Sequence, residues 1–149
     1  MIVHSYLFGA IDIDEQQVIR FESGIPGFEH LKRFAVIREA DDSAFVHLQS
    51  VEDGEVTFVL TNPFLFYKDF EFVLSKANQE ELKIGNKEDV VVWVIVTVGE
   101  DVENTTLNLL APVVMNPKER LGKQIVLQNT NYKTKHPLIE QTEPAARKR

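Results

Sequence analysis

The sequence predicts an all-β, antiparallel domain with one short helix, and three observations carry that reading. Residues 90–98 (VVVWVIVTV) are uncharged and nearly all β-branched or aromatic, which suits a pleated surface and penalises a helix. The other apolar stretches are of strand length and are cut apart by Gly, Pro, Asn and Asp turn signals. The best helix candidate is a single short segment, 78–82, where Asn78 and Glu81 make a capping-box pattern and Gly85 can stop the chain.

Because both parities of 90–98 are apolar, neither face is left for water, and the segment reads as a central strand covered on both sides. Asp89 and Gly99 hold it to strand length, whereas a bilayer span needs roughly 20 apolar residues. The rest of the chain is expected to cover its two faces.

From the N-terminus, residues 2–8 form a first strand closed by Gly9. Residues 10–14 continue extended, with Ile11 and Ile13 on one parity and Asp12 and Asp14 on a solvated one. The two aspartates lack the Gly and Glu that a calcium loop needs further on. After a short strand at 18–21, residues 22–28 (ESGIPGF) form a turn requiring special dihedrals, with Ile25 and Phe28 as apolar points held on it. No Lys follows at phosphate-loop spacing, which disfavours a phosphate cradle. Residues 29–33 suit one helical turn, and 34–37 (FAVI) a buried strand.

A strand at 45–51 places Phe45, His47 and Gln49 opposite Val46 and Leu48, and the Asp-Gly turn at 52–55 returns the chain into 56–60. Residues 64–74 (FLFYKDFEFVL) put Phe64, Phe66, Phe70, Phe72 and Leu74 on one parity and Tyr67, Asp69 and Glu71 on the other. That pattern predicts an aromatic strand with a polar face, a composition common at protein interfaces. Residues 105–114 (TTLNLLAPVV) form the return strand of 90–98, and Pro112 must end it, bulge it or place it at an edge. Residues 124–128 (QIVLQ) form the last strand, and the mixture of charge and proline from Lys133 onward suits a flexible tail. One domain over 1–132 followed by a basic tail over 133–149 is therefore expected.

Charge is unevenly placed along the chain. Residues 133–149 carry five Lys or Arg against Glu140 and Glu143, a balance of +3, so the net −7 of the whole chain leaves −10 on residues 1–132. An acidic body repels phosphate backbones and attracts basic protein surfaces. Cysteine is absent, which removes disulfides, thiolate metal sites and a Cys nucleophile together and fits a reducing compartment. The four histidines share no metal-ligand spacing, no G-x-S-x-G occurs, and the carboxylates lie in turns and polar strand faces. The first twenty residues contain neither a charged leader nor an apolar run. The reading is a cytoplasmic, non-catalytic protein.

Residues 21–28 (FESGIPGF), 62–64 (NPF) and 108–112 (NLLAP), followed by Asn116-Pro117, Gly122, Gln124 and Leu127, closely resemble the flagellar assembly factor FliW family, in the same order from about residue 11 to 138. The resemblance implies a small, partly closed antiparallel β-barrel-like fold, no enzymatic activity and no cofactor. It implies a chaperone-like role in the cytoplasm: binding flagellin, and alternatively binding CsrA, a small basic RNA-binding dimer that regulates translation. Export of flagellin would free the family member to capture CsrA and lift repression of the flagellin message. Partner contacts are expected at Glu22, Ile25, Phe28 and Glu29 on the turn, and at Phe64, Tyr67, Asp69 and Glu71 on the aromatic strand. The alternative is an OB-like single-stranded RNA-binding module with the aromatics as stacking platform; the acidic body opposes it.

Overall fold

The computed structural model describes residues 1–139, so the expected tail from residue 140 lies outside the described residues. Strands β1 (Ile2–Ser5) and β2 (Gly9–Asp12) pair as a separate hairpin. They are followed by β3 (Val18–Arg20), β4 (Arg33–Ile37), β5 (Phe45–Ser50), β6 (Thr57–Thr61) and helix α1 (Lys76–Glu81). Then come β7 (Val91–Thr97), β8 (Thr106–Leu107), β9 (Val113–Asn116), β10 (Leu121–Gln124) and β11 (His136–Pro137). The order β7-β6-β5-β4-β3-β10-β9 closes on itself through pairing of β9 with β7, giving a barrel of seven strands. Its neighbours are antiparallel except β3 and β10, which meet in parallel where Leu121 lies opposite Arg20.

The cover on both faces expected of 90–98 holds for the middle of β7, where Val94 and Val96 are buried, while Val91, Val92 and Trp93 are half-buried and Thr97 and Val98 are exposed. Trp93 and Ile95 face the barrel interior with Phe34, Val46, Leu48, Leu60, Val113 and Met115. Val92, Val94 and Val96 face an outer layer with Leu107, Leu109, Leu121, Ile125, Leu127 and Leu138. Strands of period two deliver alternate side chains to two separate cores, which is why neither parity could be polar. Inside, the Phe21 and Phe34 rings meet edge to face at 5.3 Å. Phe21 also explains Gly122, where a Cβ would stand 2.6 Å from the ring.

The N-terminal hairpin covers a third patch, laying Val3 and Ile13 on Ala35. It is anchored by a buried polar group: Ser5 Oγ and Thr57 Oγ1 donate to Gln49 Oε1 at 2.7 and 2.8 Å. Gln49 Nε2 in turn donates to backbone carbonyls of Ser50, Gly54 and Val56, so a fully buried amide is satisfied.

Several predicted elements differ from those observed. Residues 2–14 fold back at Tyr6–Phe8 instead of continuing, because Ser5 Oγ accepts from the Leu7 and Phe8 amides and closes a turn. The predicted helical turn at 29–33 is a tight turn closed by Leu31 N donating to Phe28 O. The helix starts earlier than 78: Ser75 is the N-cap and accepts from Asn78 N, leaving the Asn78 side chain to accept from Lys123 Nζ. The return strand breaks where Pro112 required. Thus β8 pairs with the far half of β7 and β9 with the near half, and Asn108 Oδ1 accepts from Ala111 N in between.

The last barrel strand lies at Leu121–Gln124, ahead of the predicted 124–128; Ile125 N and Leu127 N donate back to the carbonyls of Pro112 and Leu110. Nor does the fold end at 132. β11 pairs with β8, Leu138 N donates to Thr105 O, and Leu138 is buried, so residues 133–138 belong to the domain.

Candidate partner-binding groove

The largest departure from expectation is at 64–74, which is not a strand. Asn62 Oδ1 accepts from Phe64 N at 2.9 Å and Pro63 opens a 3-10 turn over Pro63–Leu65, the geometry that Pro at a first helical position favours. Tyr67 N and Phe70 N then bond to Pro63 O and Tyr67 O. With the amides of residues 64–67 and of Phe70 engaged locally, the segment crosses outside the barrel to α1 as irregular chain.

Its aromatics pack on the outer layer instead of on a ladder. Phe70 is buried, with Phe64, Phe72 and Tyr132 rings at 5.7, 5.6 and 4.9 Å. Between this wall, α1 and β7 lies an open groove of about 740 Å³. Phe64, Phe72, Val73, Leu74, Ile84, Val90 and Val92 supply its apolar surface, and Glu71, Gln79, Asn86 and Lys87 its polar edge. Phe64 is 42% and Val73 92% exposed, so apolar surface stands open to water along the rim.

The connection from α1 to β7 that borders the groove is held in place. Asn116, buried, donates from Nδ2 to the carbonyls of Leu82 and Lys83 at 2.8 and 3.1 Å, tying the end of α1 to β9. Asp89 Oδ2 accepts from the Gly85 and Asn86 amides. On the wall itself, Tyr132 OH accepts from Glu71 N at 3.1 Å and Tyr67 OH donates to Pro137 O at 2.6 Å.

The turn at 22–29 is placed differently from the sequence expectation. Ile25 is 2% exposed and plugs the barrel interior; a buried side chain offers no surface, so it is withdrawn as a contact. Gly24 and Gly27 make this possible with φ of +72° and +88°, and a Cβ at Gly24 would strike the Glu29 backbone. Phe28 is half-buried, edge-on to Phe58 at 5.2 Å. Glu22 and Glu29 are exposed. Glu22 pairs with Arg20 at 3.1 Å, and the Gly27 amide donating to Glu29 holds that carboxyl below its usual range.

The two predicted regions do not form one site; a polar bridge ties the turn to α1 and β10 instead. Ser23 Oγ donates to Glu81 Oε2 at 3.0 Å, and Lys123 Nζ donates to Glu81 Oε1 at 2.7 Å. The Lys123 hydrogen bond, opposed by partial burial, pulls the Glu81 carboxyl below its ordinary range. Of the second predicted set, Phe64 and Glu71 line the groove, Tyr67 braces the wall from behind, and Asp69 is exposed nearby. Sequence reasoning missed Val73, Ile84, Val90 and Val92. Val73 carried a signal, since an apolar residue falls on the parity assigned to Tyr67, Asp69 and Glu71.

Among the described residues, no cluster of His, Cys, Asp or Glu could hold a metal ion, and no helix is long and apolar enough to cross a membrane. The FliW protein family matches residues 2–138. The flagellar assembly factor FliW of Bacillus subtilis (strain 168) is 45% identical over 138 residues, covering 93% of this chain and 96% of that protein. The namesake in Geobacillus sp. (strain WCH70) is 48% identical over 131 residues, covering 88% and 90%. A solved structure described as the crystal structure of the flagellar assembly factor FliW superposes with a TM-score of 0.87 at 42% identity, over 96% of this chain and all of that one. These relatives are named as assembly factors, not enzymes.

Proposed function

Since this chain belongs to the FliW family, we propose that it is a cytoplasmic flagellar assembly factor that binds flagellin and, when flagellin is absent, binds the translational regulator CsrA. The observation that carries this reading is the open apolar groove on an otherwise acidic protein. A contiguous apolar surface rimmed by polar groups marks a protein-binding site, and a long groove of this kind suits the apolar face of an amphipathic helix such as those at the ends of flagellin. The excess of carboxylates is the right sign to steer a small basic dimer, raising its encounter rate.

No chemistry is required of the protein in this role. Flagellin occupancy determines how much of it is free, and the free form withdraws CsrA from the flagellin message. Contacts are assigned to Phe64 and Glu71 in the groove with Tyr67 and Asp69 beside it, and to Glu22, Phe28 and Glu29 on the turn. Isothermal titration of the full chain with purified flagellin, and separately with CsrA, tests the reading. Both should bind, and Val73→Asp should weaken flagellin about tenfold or more while leaving melting unchanged, as expected for a largely exposed interface residue. Absence of flagellin binding by the wild-type protein, or indifference to Val73→Asp, would overturn the groove assignment.

A further inference from the structure

The tip of the N-terminal hairpin has a composition that its turn does not demand. Tight hairpin connections favour Gly, Asn and Asp, yet the residues between β1 and β2 are Tyr6, Leu7 and Phe8. Phe8 turns inward, edge-on to His47 at 5.0 Å. Tyr6 and Leu7 turn outward and are 82% and 56% exposed. The backbone beneath the pair is hydrogen-bonded: Ser5 Oγ accepts from the amides of Leu7 and Phe8 and is itself tied to buried Gln49.

The hairpin also rests on a second element. Tyr6 N donates to Gly54 O at 2.9 Å, and Gly54 lacks a side chain because a Cβ there would collide with the His4 carbonyl. That close seating brings the tip against the turn holding Glu52, Asp53 and Glu55. A recess of about 500 Å³ results, lined by Tyr6 together with Asp53 and Glu55. Asp53 uses Oδ1 to accept from Glu55 N within its own turn.

We propose that this recess and the Tyr6–Leu7 tip are a docking surface for a basic protein partner, the tip making the apolar contact and Asp53 and Glu55 accepting from an arginine or lysine. The proposal rests on the reading that the protein captures a basic regulator, and it assigns that partner to a surface separate from the groove. Charge complementarity selects the occupant: the domain over residues 1–138 carries a net −8 and places Asp53 and Glu55 at this recess, which favours a cationic partner and disfavours phosphate backbones. Tyrosine offers a cation a ring face and a hydroxyl. Because the turn's backbone is already hydrogen-bonded, binding need not order it, and only the exposed side chains lose freedom.

The test titrates the full chain with purified CsrA and with flagellin, comparing wild type with Tyr6→Ala/Leu7→Ser and with Asp53→Asn/Glu55→Gln. Each double variant should weaken CsrA by about tenfold or more, as expected for truncated interface anchors. Flagellin affinity should hold within about twofold and melting should be unchanged, since the altered side chains are not in the core. The charge variant should also show a shallower loss of CsrA affinity with salt. Unchanged CsrA affinity in both variants, with wild type binding normally, overturns the proposal and leaves the partner reading intact. Wild-type protein that binds no CsrA overturns both. Concentration-dependent self-association abolished by Leu7→Ser, with CsrA unaffected, would assign the tip to a second copy and overturn the proposal as well.

Discussion

The barrel interior and the outer layer lie on opposite faces of the same strand, β7, and are built from the same kinds of residue. Inside, Phe21 meets Phe34 and Phe28 meets Phe58 edge to face, Phe34 and Phe58 pack tilted, and the turn contributes Ile25 as a plug. Outside, Phe64, Phe70 and Phe72 pack comparably but stop short of closure, and a groove remains. The difference is not composition but how the backbone is held. Ladder-paired strands bring side chains to a closed interior from all sides. An irregular crossing segment covers one side only and leaves its far edge to water. The interior therefore supplies stability, and the outer layer supplies stability where it is closed and recognition where it is open.

The sharpest way to break this comparison is to remove one phenylalanine from each region. Phe34→Ala deletes a fully buried ring and should cost about 3–5 kcal/mol, read as a large fall in the urea midpoint. Phe64→Ala trims a ring that is already 42% exposed and should cost only about 1–2 kcal/mol, because little more than half of its surface leaves water on folding. Equal losses would show that the outer layer is as closed as the barrel. Next in size, Gly122→Ala adds a methyl where the Phe21 ring stands 2.6 Å away. It should cost about 1–3 kcal/mol by overpacking, and Phe21→Leu in the same chain should recover part of the loss. No such cost is expected of Gly85→Ala, whose Cβ would meet nothing closer than Asp89 Oδ2 at 3.9 Å.

The same contrast explains what the sequence did and did not disclose. Strands with two ladder partners were legible by two signals: 45–51 alternates, while 34–37 and 90–98 are continuous apolar runs, and the apolar residues in both parities of β7 announced cover on both faces. Residues 64–74 also alternate apart from Leu65, Lys68 and Val73, but local hydrogen bonds accepted by Asn62 Oδ1 and the Pro63 carbonyl outrank the pattern, and periodicity cannot reveal that. Ile25 was misplaced for a related reason: two glycines mark a special backbone but not which way it carries the residue between them. The groove was half legible. Phe64 and Glu71 were named from the aromatic segment, while Ile84, Val90 and Val92 come from elements that only the fold brings opposite it.

A smaller effect probes the bridge that ties the turn at 22–29 to α1 and β10. Glu81→Gln removes the charge that Lys123 and Ser23 both address. The pair is about a third or less exposed on each side, and its loss should cost roughly 0.5–1 kcal/mol. Because the Glu81 carboxyl is held below its ordinary 4.5, its contribution is present above that pH and lost as pH falls through the lowered value. Wild type and variant should therefore converge in stability under acid. A gap that persists unchanged to pH 3 would assign the loss to packing and not to charge.

The smallest predicted effect lies where the outer layer is fastened. His136 Nε2 accepts from Lys133 N at 2.8 Å, which requires the neutral ring, and burial with the nearby Lys133 charge holds its pKa below the ordinary 6.5. A lowered histidine stabilises the fold above the unfolded value and loses that contribution as pH falls toward the folded one. The effect should be local, because β11 pairs with the barrel extension through only two positions, His136 with Leu107 and Pro137 with Thr106. Between pH 7.5 and 5.5, exchange of the Leu110 and Leu138 amides, which bond to Lys133 O and Thr105 O, should quicken beyond the intrinsic pH trend, while amides of β5 do not. His136→Phe should flatten the response, and its persistence in that variant would place the titrating group elsewhere. Since Tyr67 and Tyr132 brace the groove wall through this same segment, acid loosening of β11 should reach the groove before it reaches the barrel.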